Sequence, residues 1–165
     1  MKFKFTIITV VKNDKIGIQK TIKSVLNQSY KNFEYIIIDG NSSDGTFFQI
    51  KKNRSTEKFR FIRRKDISYY DSLNFAIRMS KGQYIGVLNS GDAFINQNIL
   101  SRIDRMVLQN TNIFYNNVVF TKNKKIIRSW NHKISKITKF NLFKIPHSTL
   151  FINNKIYKKI GSYNL

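Results

Sequence analysis

The stretch Glu34-Tyr35-Ile36-Ile37-Ile38-Asp39-Gly40-Asn41-Ser42-Ser43-Asp44-Gly45-Thr46 decides the fold. Its apolar half, extended back to residue 33, is short and rich in isoleucine, which reads as a strand. Its polar half is a run of turn and capping residues that opens a helix. The same alternation continues on both sides. Upstream, residues 3–11 form a β-branched and aromatic run that reads as a buried strand. Residues 16–28 then place Ile18, Ile22, Val25 and Leu26 at the spacing of a helix covering a sheet. Downstream, residues 59–62 read as a third strand, and residues 70–79 are helical through Leu73, Ala76, Ile77 and Ser80. Residues 84–88 are a fourth strand, ending at Asn89-Ser90-Gly91-Asp92.

This order predicts an α/β fold with a mainly parallel central sheet and right-handed crossovers. In such sheets ligands bind at the carboxyl edge, in the loops that directly follow the strands. Two loops qualify, residues 39–46 and 89–92. Beyond residue 100 the pattern loosens. Residues 100–108 read as a helix, and 113–120 with 126–130 as a β-hairpin around Lys122-Asn123-Lys124. A basic stretch at 133–144 leads to Pro146-His147 and an apolar run at 149–152. Without repeats or a Pro- or Gly-rich linker, residues 1–165 read as a single domain.

Charge is far out of balance, with 30 Lys and Arg against 9 Asp and Glu, a net +21. Residues 101–165 carry thirteen bases and a single acid, Asp104. Such a field attracts polyanions: nucleic acid, an anionic membrane face or a phosphate-bearing substrate; biased residue usage is the other reading. Cysteine is absent, which excludes disulfides, a thiolate nucleophile and Cys-ligated metals. No apolar stretch of signal-peptide length precedes Lys12, and no run reaches the roughly 20 residues of a membrane span. The expectation is a cytoplasmic protein whose basic surface touches the inner face of the membrane.

The first strand runs into Lys12-Asn13-Asp14-Lys15-Ile16-Gly17, neither a G-x-G-x-x-G turn nor a P-loop, so dinucleotide oxidoreductases and Walker-type NTPases lose their main support. His132 and His147 stand alone, without ligand spacing. Asp39 can accept hydrogen bonds from a base or ribose, and Gly40 lets a ligand approach; an ordinary Asp-Gly turn is the alternative. Asp92, with Asn89 before it, can hold a hard divalent cation if a ligand diphosphate completes the shell. Its alternative role is the N-cap of a helix starting near Gln97.

Taken together these stretches resemble glycosyltransferase family 2, in its bacterial polysaccharide-assembly branch. The resemblance rests on Thr9-Val10-Val11-Lys12-Asn13, residues 21–30 from Thr21 to Tyr30, and residues 34–46. It continues through Tyr70-Asp71-Ser72-Leu73-Asn74, Lys81-Gly82-Gln83-Tyr84-Ile85 and Leu88-Asn89-Ser90-Gly91-Asp92. It implies the GT-A fold, a Rossmann-like nucleotide-sugar-binding architecture with helices on both faces of the sheet. It also implies that Thr9 and Val11 flank the base, that Asp39 contacts uracil or its equivalent, and that Asn89, Ser90, Gly91 and Asp92 occupy the place of the family's Asp-x-Asp motif. There Asp92 would bind Mn²⁺ or Mg²⁺ bridging the diphosphate. Asn13, Ser42, Asp44, Asp66 and Asn74 complete the implied nucleotide-sugar contacts.

Departures from the pattern are specific. Asn89 and Gly91 stand where the usual loop has further Asp residues, Ser68 replaces a glycine, and Arg64 a glutamate. Pro146-His147-Ser148 resembles the family's His-Gln segment, and Gly161-Ser162-Tyr163-Asn164 the stretch just before the catalytic acid. Inverting transfer needs a carboxylate to deprotonate the acceptor hydroxyl, yet no Asp or Glu occurs between Arg105 and Leu165. The base is therefore expected beyond Leu165, the domain being incomplete at its C-terminus. The implied function is inverting transfer of a sugar from a nucleotide-diphosphate donor to a glycan or lipid-linked acceptor in surface polysaccharide biosynthesis. The alternatives are a basic nucleic-acid-binding module, which lacks any recognition motif, and an inactive transferase remnant.

Overall fold

A computed structural model describes residues 2–53, 58–65, 68–107, 111–122, 125–131, 145–161 and 163–164. The expected alternation is present: β1 (Phe3–Val11), α1 (Lys15–Leu26), β2 (Phe33–Asp39), α2 (Thr46–Lys52), β3 (Phe59–Arg63), α3 (Tyr69–Met79) and β4 (Gly82–Val87). Then come α4 (Ile99–Met106), β5 (Ile113–Tyr115), β6 (Val118–Lys122), β7 (Lys125–Trp130), β8 (Leu150–Asn153) and α5 (Asn154–Ile160). The main sheet has the order β3-β2-β1-β4-β8-β5. Its first four strands are parallel; β8 runs antiparallel to both β4 and β5.

Every residue of β2 is buried, because helices cover both faces of the sheet. On one face Phe5, Ile7, Tyr35 and Ile37 pack with Ile18, Ile22 and Val25 of α1, Ile50 of α2 and Leu100 and Ile103 of α4. On the other, Ile8, Ile36, Ile38 and Ile85 pack with Leu73, Ala76 and Ile77 of α3, while Tyr157 of α5 flanks them. The amino edge is locked by the buried Glu34, which accepts from the Thr6 hydroxyl at 2.7 Å and Arg60 at 2.7 Å. That leaves the carboxyl edge as the place for a site.

Three expectations need correction. Residues 113–120 are not one strand of a hairpin. Ile113–Tyr115 joins the edge of the main sheet, and Asn116-Asn117 breaks the run, since two short amides compete with ladder bonding. Only β6 pairs with β7, in a separate two-stranded sheet. The fourth strand begins at Gly82 because β4 starts against β1: a Cβ there would lie 2.5 Å from the Thr6 nitrogen. Asp92 does not cap the next helix; α4 starts at Ile99 with Asn98 as its N-cap, several residues further on. The 133–144 basic stretch, His132, Asp66 and the hairpin's Asn123 and Lys124 lie outside the described residues.

Candidate active site

Three strand ends meet at the carboxyl edge: Val11 of β1, Asp39 of β2 and Val87 of β4. Asp39 is fully buried. Its Oδ1 accepts from the Ser42 main-chain N–H at 3.1 Å and from the Ser42 hydroxyl. Its Oδ2 lies 3.5 Å from Arg63 Nε and, among the described residues, is a buried oxygen without a hydrogen-bond donor. Buried acceptors are almost always met, so this oxygen is set for a partner from outside the chain. Arg63 is pinned independently, donating to the Ser42 carbonyl at 2.8 Å and lying 5.0 Å over the Phe47 ring.

The loop after Asp39 is braced against the loop after β1. Asn13 and Asn41 both adopt left-handed backbone, at φ 53° and 60°, a conformation asparagine tolerates better than most residues. The Asn13 N–H donates to Ser42 Oγ at 2.8 Å, and Ser43 N–H donates to Asn13 Oδ1 at 2.9 Å. Asp44 accepts from the Thr46 hydroxyl and N–H and from the Lys15 N–H, contacts that hold its exposed carboxyl below the usual range. Asn13 and Ser42 thus brace the two loops directly, while Asp44 ties the start of α2 to the start of α1 through Thr46 and Lys15.

Two residues expected to flank the base are buried. Thr9 is fully buried; its hydroxyl donates to the Leu88 carbonyl at 2.7 Å and lies 3.0 Å from the Tyr35 hydroxyl. Val11 is buried in the core under α1. Neither side chain reaches the surface, because the strand end is covered on the face they share. Partly exposed Val10 is the β1 side chain closest to solvent here.

The 88–92 loop is held from α1. The Thr21 hydroxyl donates to the Asp92 carbonyl at 2.7 Å and accepts from the Gly91 N–H at 3.0 Å, where Gly91 has φ 90°. Ser24 accepts from Phe94 N–H at 3.2 Å, and buried Gln28 binds both Asn96 O and Leu100 N–H. Ser90 donates to Asp14 Oδ2 at 2.6 Å, while Asp14 caps α1 through Gly17 N–H. Tyr69 donates to Asn89 Oδ1 at 2.9 Å. Burial, with Tyr163, Tyr70 and Asp92 adding charge, pushes the Tyr69 phenol up to about 12, so it remains an O–H donor at neutral pH. Asp92 itself is exposed.

Asn74 was expected among the nucleotide-sugar contacts. It is buried, and its amide is spent on the main chain of Tyr163, donating to the carbonyl at 2.7 Å and accepting from the N–H at 2.9 Å. With Tyr70 stacked on Tyr163 at 5.4 Å, it fastens the end of the chain to α3. Ser68, at the glycine position, is the N-cap of α3 and accepts from Asp71 N–H at 3.1 Å. Arg64, in place of a glutamate, pairs with Asp71 at 3.4 Å and covers the Phe75 ring.

Thr21, Ser24, Gln28, Asp14 and Tyr69 were not singled out as site residues by sequence reasoning. Thr21 and Gln28 carried a signal: polar side chains in line with the apolar stripe of α1, one within it and one just past its end, where burial demands partners. Tyr69 carried none, since its hydroxyl meets Asn89 only through the tertiary fold.

The model of the family described as Glycosyl transferase family 2 matches residues 6–161. The chain belongs to this family. Among curated relatives, it is 31% identical over 117 residues to the UDP-Glc:alpha-D-GlcNAc-diphosphoundecaprenol beta-1,3-glucosyltransferase WfaP of Escherichia coli, covering 71% of this chain and 47% of that one. Among solved structures, S. aureus TarS 1–349 in complex with UDP superposes with TM-score 0.76 at 18% identity, covering 95% of this chain and 48% of that one. The mannosyltransferase PcManGT from Pyrobaculum calidifontis, in complex with GDP-Man and Mn²⁺, gives 0.72 at 12% identity over 99% and 48%. These likenesses establish the GT-A fold. The chain spans about half the length of each of these three proteins.

Proposed function

We propose that this chain is the donor-binding part of a glycosyltransferase that takes a sugar from a nucleoside diphosphate. One observation carries the reading: the unmet buried oxygen of Asp39 shares an edge with the exposed carboxylate of Asp92. In the order β2-β1-β4 their strands are two spacings apart, roughly 10 Å. A nucleoside diphosphate bridges such a gap, with its base at one end and its phosphates at the other.

Asp39 accepts a base N–H. A Cβ on Gly40 would meet nothing nearer than Lys12 Cβ at 3.5 Å, so the fold does not demand glycine there and the position is open to the close approach of a ligand. At the phosphate end, Thr21 fixes the main chain of Gly91 and Asp92, and Tyr69 orients Asn89. No cluster of three or more His, Cys, Asp or Glu exists among the described residues, so these build no closed metal cage. One exposed carboxylate on a loop held in place from α1 fits Mn²⁺ or Mg²⁺ whose other ligands are phosphate oxygens and water. Such a cation supplies positive charge for the departing diphosphate.

We place the acceptor among glycans or lipid-linked glycans, because the relative WfaP is named for a diphosphoundecaprenol-linked acceptor. Transfer with inversion, a role in surface polysaccharide assembly and a cytoplasmic setting against the membrane complete the reading. The acceptor-activating base belongs to the part of the relatives' length that this chain does not span. Calorimetric titration of the chain with UDP and GDP tests the reading. Saturable one-site binding, lost when Asp39 is altered, supports it, and no binding of any nucleoside diphosphate refutes it.

A further inference from the structure

We infer that the β6–β7 hairpin is a membrane-docking element that lays the site's edge against an anionic bilayer. The inference rests on the lipid-linked acceptor read above for why a membrane is near, and on the hairpin's own chemistry for where contact is made. Every residue of β7 is exposed, including Ile126 at 56%, Ile127 at 65% and Trp130 at 43%, and Phe120 of β6 is 41% exposed. Scattered apolar exposure is ordinary, but here four large exposed apolar side chains concentrate on one hairpin. An isolated two-stranded sheet is marginal in water and gains stability from a surface to lie on.

The patch is interleaved with cations. Lys122 and Lys125 face each other across the last register pair, and the Arg128 guanidinium lies 5.7 Å from the Phe120 ring centre. No acid occurs anywhere from Arg105 to Leu165. Aromatic and aliphatic side chains that enter the headgroup region, beside Lys and Arg that reach anionic phosphates, suit a bilayer surface. A nucleic acid would use the cations and rings, but Ile126 and Ile127 offer it neither a stacking face nor a hydrogen bond.

Topology starts the hairpin on the correct side. Gly86, Phe151 and Phe114 share one register row, and β5 runs parallel to β4 through antiparallel β8. Tyr115 therefore stands one residue further toward the carboxyl edge, where the 88–92 loop also begins. Asn116 N–H, bonded to the Thr149 carbonyl at 3.2 Å, anchors the hairpin's departure there. A bilayer touching the hairpin would lie on the same edge as the donor site, within reach of a lipid-linked acceptor.

The test uses the 165-residue chain with vesicles of phosphatidylcholine and phosphatidylglycerol, and of phosphatidylcholine alone, followed by sedimentation. Trp130 is the chain's sole tryptophan, so its emission reports the hairpin directly. We expect binding to the anionic vesicles with a blue shift of that emission. The double variant Ile126→Ser, Ile127→Ser keeps the charge and should weaken partitioning roughly tenfold. Lys122→Gln, Lys125→Gln, Arg128→Gln should weaken it at least as much. The charge-matched triple Lys20→Gln, Lys51→Gln, Lys52→Gln on exposed positions of α1 and α2 should lower it less than about threefold. Circular dichroism confirms that each variant folds.

Four results would overturn the inference: no binding by the wild type, unchanged binding by the hairpin variants, sedimentation without an emission shift, or a dimer that the serine pair dissociates. The same emission shift with single-stranded RNA but not lipid would assign the patch to nucleic acid instead. Nucleotide titration of the same variants keeps the two readings separate. If UDP or GDP binds while vesicles do not, only the docking inference falls.

Discussion

Replacing Asp39 with Asn separates recognition from architecture more cleanly than any other single change. The amide is nearly isosteric. Its Oδ1 can still accept from both Ser42 donors, and Arg63 stays tied to the Ser42 carbonyl and the Phe47 ring. What disappears is the Oδ2 contact with Arg63 Nε at 3.5 Å, to a side chain 40% exposed. Solvent screening limits such a pair to below about 1 kcal/mol, and removing a buried charge offsets part of that. The unfolding free energy should therefore change by less than about 1 kcal/mol. Binding should suffer more. A base N–H that met a carboxylate oxygen would meet an N–H₂, losing a charge-assisted bond and gaining a mismatched donor, about 2–3 kcal/mol. That corresponds to a roughly 30- to 150-fold weaker Kd for the nucleoside diphosphate. Urea denaturation and calorimetry on the same protein measure the two quantities. Affinity preserved within threefold, or a stability loss well above 1 kcal/mol, would show that Asp39 serves the fold and not the ligand.

Other changes follow from the same geometry. Thr21→Val keeps the shape but strips partners from the Gly91 N–H and the Asp92 carbonyl, and should cost about 1–2 kcal/mol in urea with a clear loss of nucleotide affinity. Gly86→Ala would place a Cβ 2.6 Å from the Phe151 ring, so its urea midpoint should fall by the equivalent of about 1–3 kcal/mol. Gly40→Ala meets only ordinary contacts, so stability should hold while nucleotide binding weakens; unchanged binding would remove the ligand from that position. The Asp44 carboxyl is held below its ordinary value of 3.8 by Thr46. Its contribution is fully present above that value and is lost as pH falls through the lower folded pKa, so Asp44→Asn should flatten that part of the stability-pH curve.

The first hundred residues were legible because strand and helix periods differ and because polar loops follow the strands directly. Phe3–Val11 and Phe33–Asp39 stand out as unbroken apolar runs since both faces of the sheet are covered. Asp39 stood out as a carboxylate at the end of such a run, beside the alternative of an ordinary Asp-Gly turn, but its burial and its bonds to Ser42 show only in the fold. For Thr9 and Asn74 the sequence hid the fold contacts for one physical reason: a polar side chain near a strand end or helix start serves the fold as well as a ligand, and only the tertiary partners show the bonds it makes. Leu88, Tyr35 and Tyr163 are those partners, 79, 26 and 89 residues away in sequence. Beyond residue 110 the strands are short and antiparallel, and the break at Asn116-Asn117 splits one apparent strand between two sheets.

The central claim is that one sheet edge binds a nucleoside diphosphate, with Asp39 on the base and Asp92 on a phosphate-bound cation. Calorimetry of UDP and GDP binding with Mn²⁺ and with chelator, on the wild type and on Asp92→Ala, tests it most directly. The account predicts that Mn²⁺ tightens nucleotide binding to the wild type, and that Asp92→Ala abolishes this gain while leaving the weaker, metal-free binding in place. Nucleotide affinity indifferent to both the chelator and the substitution would contradict it.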